Sequence, residues 1–271
     1  MSSPGEGAGL LFRSGKLSEA VAAAGAAVKR APTDLGARVL LAELLLFSGD
    51  FERVDVLLNA ATDLVPDAAV VIAEFRQLLR AELARRQLYR NGRVPEFLGD
   101  PTPALSDALA ALVAWRSGDL ALASQKVAAV ETGRPRTSGE TEGRQFADFR
   151  DLDDLSSGCF EILTTTGKYY WLPTERVSSI DFHPPRRPRD LFWRRASVSV
   201  TAGPDGDVYV PALYANDQLS TSEALKLGRE TEWVQAADGL TLGAGQRVFL
   251  LGDDAVPVME LTSLKFGGSS E

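Results

Sequence analysis

The residues of this chain that could do chemistry are few, and most gather in its second half. The stretch HPPRRPRDLFWRR (183–195) holds the single histidine, His183, and five arginines interleaved with Phe192 and Trp193. Arginine charge beside aromatic rings is a composition that grips single-stranded nucleic acid by phosphate attraction and base stacking. Upstream, FADFRDLDDL (146–155) carries Asp148, Asp151, Asp153 and Asp154, which could together hold a divalent cation. His183, this acidic run and Arg189 would be the material for a small hydrolase or a nucleotide-processing enzyme.

Each of these has a competing structural use. Three prolines make 183–188 an extended, rigid strip, and the acidic run nearby offers partners for internal arginine–carboxylate pairing, with Trp193 in a β-core. The acidic run lacks the glycine and distal glutamate of a calcium-binding loop, so a solvated or arginine-paired run fits it better. His183 stands before two prolines with no nucleophilic-serine motif, which favours a structural role. In TTTGKYYW the pair Gly167-Lys168 suggests a phosphate loop. That loop needs a glycine where Ile162 stands and Ser or Thr where Tyr169 stands, so it is rejected. LGAGQR (242–247) is too short and isolated for a dinucleotide fingerprint. One histidine and one cysteine, Cys159, leave no Cys/His cluster for zinc and no internal disulfide, as in a reducing compartment. The net charge of −8 argues against a nucleic-acid-binding protein as a whole, although Arg186–Arg195 could form a local patch. No metal and no cofactor is expected.

The elements that must position these residues change type along the chain. Three stretches are near-copies: RSGKLSEA (13–20), FSGDFERV (47–54) and RSGDLALA (116–123). Gly15 and Gly49 stand 34 residues apart and Gly118 follows 69 later, which is the period of tetratricopeptide-like helical hairpins. Other positions keep this register. Leu17, Phe51 and Leu120 lie two after each glycine; Ala20, Val54 and Ala123 five after; Ala27, Ala61 and Val130 twelve after; Pro32, Pro66 and Pro135 seventeen after. A glycine allows the tight turn between two helices, a small residue lets them cross closely, and a proline ends the second helix. A fourth turn, due near 83, is missing: FRQLLRAELARRQLYRNG continues as helix, and 91–103 reads as an irregular connection with three prolines and two glycines.

From about 132 the pattern turns to β-branched and alternating runs: 160–166, 169–173, 196–202, 207–214, 247–252 and 258–266. Gly167-Lys168 and Pro204–Asp207 separate pairs of them as hairpin turns would. A short helix is expected over 222–233, with Ser220 or Ser222 as its cap. The fold class is therefore α+β. A tetratricopeptide-like helical domain (5–131) and a linker or loop (132–144) precede a mostly antiparallel β-domain (145–267).

The helix ARVLLAELLLF (37–47) is apolar nearly all round, so it is either fully buried or keeps one face for a partner. In a hairpin array Val39, Glu43 and Leu46, with Gln77 and Arg80 beside them, would line a concave groove for an amphipathic segment. The competing reading packs that face against the β-domain or the next hairpin. No apolar run is long enough to span a bilayer and the first residues do not read as a signal peptide, so a cytoplasmic protein is expected.

Helical hairpins followed by FRDLDDL, EILTTTGKYYWLP, RPRDLFWR, VYVPALY, LGRETEW and GQRVFLLGDD resemble the ImpE/TagJ family of type VI secretion accessory proteins. The resemblance implies a cytoplasmic, non-enzymatic adaptor. Its partners would be the N-terminal segment of a TssB-like sheath subunit and a ClpV-type AAA+ ATPase that recycles the contracted sheath, with no catalytic residue to carry over.

Overall fold

The structure, a computed structural model, describes residues 4–62, 68–215 and 222–267. Helices α1 (Pro4–Arg13) and α2 (Leu17–Arg30), α3 (Leu35–Ser48) and α4 (Phe51–Thr62), and α6 (Pro103–Ser117) and α7 (Leu120–Gly133) form three hairpins. Between the second and third lies one 23-residue helix, α5 (Ala69–Asn91).

The three near-copies are three helix-ending turns of one geometry. Gly15, Gly49 and Gly118 have φ of 83°, 75° and 82°, the left-handed region that costs glycine little. The amide after each glycine reaches back five residues, Lys16 to Leu11, Asp50 to Leu45 and Asp119 to Ala114, at 3.0, 3.2 and 2.9 Å. These bonds satisfy carbonyls that the helix end would otherwise leave without partners. The register positions follow suit: Ala20, Val54 and Ala123 are wholly buried where the helices cross, and Ala27, Ala61 and Val130 are buried too. Leu17 and Phe51 are buried, whereas Leu120 is exposed. Pro32 and Pro135 follow the ends of α2 and α7; Pro66 lies outside the described residues. Side-chain caps start α3, α6 and α7: Asp34 accepts from Ala37 N, Thr102 from Leu105 N and Asp119 from Leu122 N.

The β-half is larger than the alternating runs indicated. Strands β1 (Glu96–Phe97), β2 (Gly139–Thr141), β3 (Arg144–Phe146), β5 (Cys159–Leu163), β6 (Tyr169–Pro173), β7 (Val177–Phe182), β8 (Trp193–Val200), β9 (Gly206–Pro211) and β14 (Ser263–Phe266) form one sheet in the order β1-β6-β5-β9-β8-β7-β14-β2-β3. Every pairing in it is antiparallel except β1 with β6. Strands β4 (Phe149–Asp151), β12 (Val248–Leu251) and β13 (Asp254–Pro257) form a second sheet, and β10 (Thr231–Ala237) with β11 (Leu240–Gly245) a separate hairpin.

Several expected elements differ. The stretch 132–144 contains the last turn of α7 and strand β2, so it is not all loop. The connection 91–103 supplies β1 to the sheet edge, with Lys168 Nζ donating to Glu96 at 2.7 Å. Of the run 258–266 only the last four residues are strand, β14; 258–262 is the turn and coil that carry the chain from β13 in one sheet to β14 in the other. The helix expected over 222–233 is one turn, α8 (Glu223–Lys226), capped by Ser222; Gly228 at φ 64° ends it, and 231–237 is strand. The alternative cap, Ser220, lies outside the described residues.

Two apolar clusters follow from this layering. One lies between the sheets, where Phe149 stacks on Phe160 and Phe249 with centroids 5.0 Å from each. The other runs without a break from the helices into the β-half, taking in Phe47, Phe75 and Leu79 together with Trp171, Phe192, Trp193 and Leu242.

Candidate functional site

The face of the array formed by α3 and α5 is where the sequence placed a guest, and the β-half packs against it. The extended strip 183–188 leads into a short 3-10 turn, Pro188–Leu191, which lies against α3. Of the five groove residues, Leu46 is 1% exposed and belongs to the continuous core. Glu43 is 3% exposed and lies 3.9 Å from Arg187 and 4.0 Å from Arg189. Gln77 and Arg80 meet the β5–β6 turn: a Cβ at Gly167 would stand 2.4 Å from Gln77 Oε1 and 3.1 Å from Arg80 Cδ. Val39 is half-buried and Arg80 exposed. The structure therefore does not gather these residues on one open face. The surplus apolar surface of α3 is covered from within the chain.

Beneath this contact lies a cluster that the sequence reading did not single out. Glu161, central on β5, accepts from Arg85 Nε at 2.9 Å and Nη2 at 3.0 Å, and also from Arg247 and Tyr169. Asp151 pairs with Arg247 on its other side and accepts from Tyr214 Oη at 2.8 Å. Glu82 accepts from Arg86 Nε at 2.6 Å, Arg85 Nη1 at 3.3 Å and Trp193 Nε1 at 3.1 Å. Three carboxylates and three guanidiniums, all buried, thus meet where α5 touches β5, with Asp151 coming from β4 and Arg247 from just before β12. Burial alone would raise the Glu161 pKa, but Arg85 and Arg247 outweigh it and hold the carboxyl at about 2. Every charge in the cluster has a partner inside the protein, so it joins the two halves and leaves no open position for a reactant. One signal was available: Glu82, Arg85 and Arg86 share a helix face at i, i+3 and i+4, and Glu161 interrupts the apolar run CFEIL.

The residues offered for catalysis are also tied down. Asp148 pairs with Arg134 at 2.6 Å and Asp154 with Arg150 at 2.6 Å, while Asp153 accepts from the amides of Leu155 and Gly243. The acidic run is thus arginine-paired and amide-capped, and largely buried. Among the described residues no group of three or more His, Cys, Asp or Glu side chains is placed to hold a metal. His183 Nε2 lies 2.9 Å from Ser197 Oγ, but Ser197 donates to Asp207 at 2.6 Å. A hydrolytic triad needs the imidazole between serine and carboxylate. Here Asp207 touches the serine directly and is paired with Arg195 at 2.6 Å. Arg189 lies over the Phe75 ring at 4.9 Å and 3.6 Å from Glu74. Cys159 is buried, and burial pushes its thiol well above the ordinary pKa, away from the reactive thiolate.

Glu43 yields a measurable pH effect. Burial raises its carboxyl to about 7 against the attraction of Arg189 and Arg187, with Asp190 adding to the rise. A folded-state pKa above the ordinary 4.5 means the fold holds the proton. Stability from this site is then complete below about pH 4.5 and falls as the pH climbs to about 7. Urea unfolding at about pH 5 and pH 8 should show a smaller loss in Glu43→Gln than in the natural protein, by about 1–3 kcal/mol. Equal losses would mean that Glu43 does not titrate in this range.

Stacked helical hairpins joined to a mostly antiparallel β-domain define a repeat-type α+β protein. The comparisons place it further: residues 11–74 match the tetratricopeptide repeat family and residues 143–265 the ImpE protein family. The likeness to the ImpE/TagJ family read from the β-half motifs therefore stands. The chain is 27% identical over 256 residues to the type VI secretion system accessory component TagJ of Pseudomonas aeruginosa, covering 94% of this chain and 89% of that one. It superimposes on the crystal structure of a Vibrio parahaemolyticus protein with a TM-score of 0.90 at 27% identity, covering 96% and 97% of the two chains. No described helix is long and apolar enough to cross a membrane.

Proposed function

We propose that this protein is a cytoplasmic, non-enzymatic accessory adaptor of a type VI secretion system. It binds a short amphipathic segment of the contractile sheath, the N-terminus of a TssB-like subunit, and assists a ClpV-type ATPase in sheath recycling. The observation that carries this reading is similarity to TagJ along both the helical array and the β-domain, not over one half alone. The net charge of −8 and the internal pairing of Arg189 and Arg195 support a protein partner over nucleic acid.

Because the α3–α5 face is covered, the guest docks on the side of α4 and α5 where Val56, Val70 and Val71 are 63%, 80% and 50% exposed. Fluorescence anisotropy with a labelled sheath-subunit N-terminal peptide should give a Kd of about 1 μM. The double variant Val70→Asp, Val71→Asp should weaken it about ten-fold with an unchanged circular dichroism spectrum. Absence of saturable binding would overturn the adaptor reading, and an unaffected Kd in the double variant would overturn this docking face.

A further inference from the structure

Arg194 on β8 is 5% exposed, yet among the described residues its guanidinium has no carboxylate partner. Its Nε has no hydrogen-bond acceptor among them. Nη1 reaches only the Met259 sulfur at 4.0 Å, and Nη2 only the Leu261 carbonyl at 3.5 Å, both at the outer limit of such contacts. Burial lowers its pKa, and the opposing charge, Asp190, accepts from the backbone amides of Arg186 and Arg187. The other buried arginines differ. Arg85, Arg86, Arg134 and Arg247 each hold at least one carboxylate at 3.3 Å or closer, and Arg189 lies within 4.0 Å of two.

Met259 connects this guanidinium to a cavity of 510 Å³, which it lines together with Phe12, Leu191, Leu227 and Arg229. The partners of Arg229 among the described residues are two carbonyls, Phe12 O at 2.9 Å and Arg13 O at 2.6 Å at the end of α1. The cavity therefore has an apolar wall, one cation on its rim and a second behind a flexible thioether, which can change rotamer at little cost. A buried cation without a counter-ion costs stability, and an apolar side chain of similar volume would remove that cost. A ligand that brings its own carboxylate would remove it as well.

We infer that the cavity between α1, the 188–191 turn and the Val258–Leu261 segment is a second guest site, which takes an acidic side chain flanked by apolar ones and pairs it with Arg194 after Met259 swings aside. The inference rests on the adaptor reading only in taking the guest to be a protein segment. The sheath peptide can fail to bind while Arg194 still separates acid from amide, so the two failures are distinguishable.

The test uses the full chain and two blocked tripeptides, acetyl-Leu-Glu-Leu-amide and acetyl-Leu-Gln-Leu-amide, followed by NMR at the Arg194 Nε–H and the Met259 methyl. The glutamate peptide should shift both signals saturably and bind at least about five-fold more tightly than the glutamine peptide. Arg194→Met should abolish that preference while melting no lower than the natural protein, and Arg194→Lys, which keeps the charge, should retain part of it. No shift up to about 20 mM peptide, equal binding of the two peptides, or a preference that survives Arg194→Met would each overturn the assignment.

Discussion

Glu161→Gln is expected to lose about 3–5 kcal/mol of folding stability, the range for removing one partner from a buried ion pair. The substitution keeps the shape of the side chain but removes the charge shared by Arg85 and Arg247, neither of which reaches water. Arg85 would keep Glu82 and Arg247 would keep Asp151, so the cluster would pass from neutral to a surplus of one positive charge in a medium that solvates it poorly. Chemical denaturation at neutral pH measures the loss. Acid titration supplies a second signature. With the folded-state carboxyl held near 2, the stabilisation from Glu161 is full above about pH 4.5 and disappears as the pH falls towards 2. Glu161→Gln should flatten that part of the stability curve. A variant within about 1 kcal/mol of the natural protein would show that the cluster is not what joins the two halves.

Trp193→Ala should cost about as much, 3–5 kcal/mol or more, for a different reason. The indole is 1% exposed and edge-on to Phe75 and Phe192, with centroids at 6.0 and 5.4 Å, and its N–H donates to Glu82. Removing it leaves a cavity between α5 and β8 and takes one donor from a buried carboxylate. At about 2–4 °C per kcal/mol for a chain of this size, the melting temperature should fall by roughly 10 °C. Because Trp193 belongs to the core that runs through both halves, helix-sensitive and tryptophan-sensitive signals should fall together in one transition. Two separate transitions, only one of them shifted by the substitution, would mean that the array and the β-half fold independently.

The array was legible in the sequence because its punctuation is local. A left-handed glycine, a small residue five later and a proline seventeen later are each required within one hairpin, and repetition made them visible at Gly15, Gly49 and Gly118. The longer α5 was also legible, from the missing turn. What covers α3 was not, because the partner of Glu43 lies about 145 residues away and neither segment states its contact locally. The same holds for the buried cluster. Glu82, Arg85 and Arg86 have the i, i+3, i+4 spacing of an ordinary solvated face, and their burial depends on Glu161, Trp193 and Arg247 arriving from other elements. Strands β7 and β10 escaped notice because serines and an aspartate dilute the first, and the second follows a helix signal with no apolar run of its own.

Strand β1 and helix α5 carry a consequence for how this chain is made. A ribosome releases the N-terminal helices first, yet residues 96–97 pair with 170–171, and Arg85 needs residue 161. The cluster that includes Arg85 closes only when residue 247 has emerged, some 160 residues after Arg85 itself. The early helices therefore leave the exit tunnel with an arginine-bearing face still in water and a strand that has no neighbour. Closure of this cluster therefore cannot precede the synthesis of residue 247.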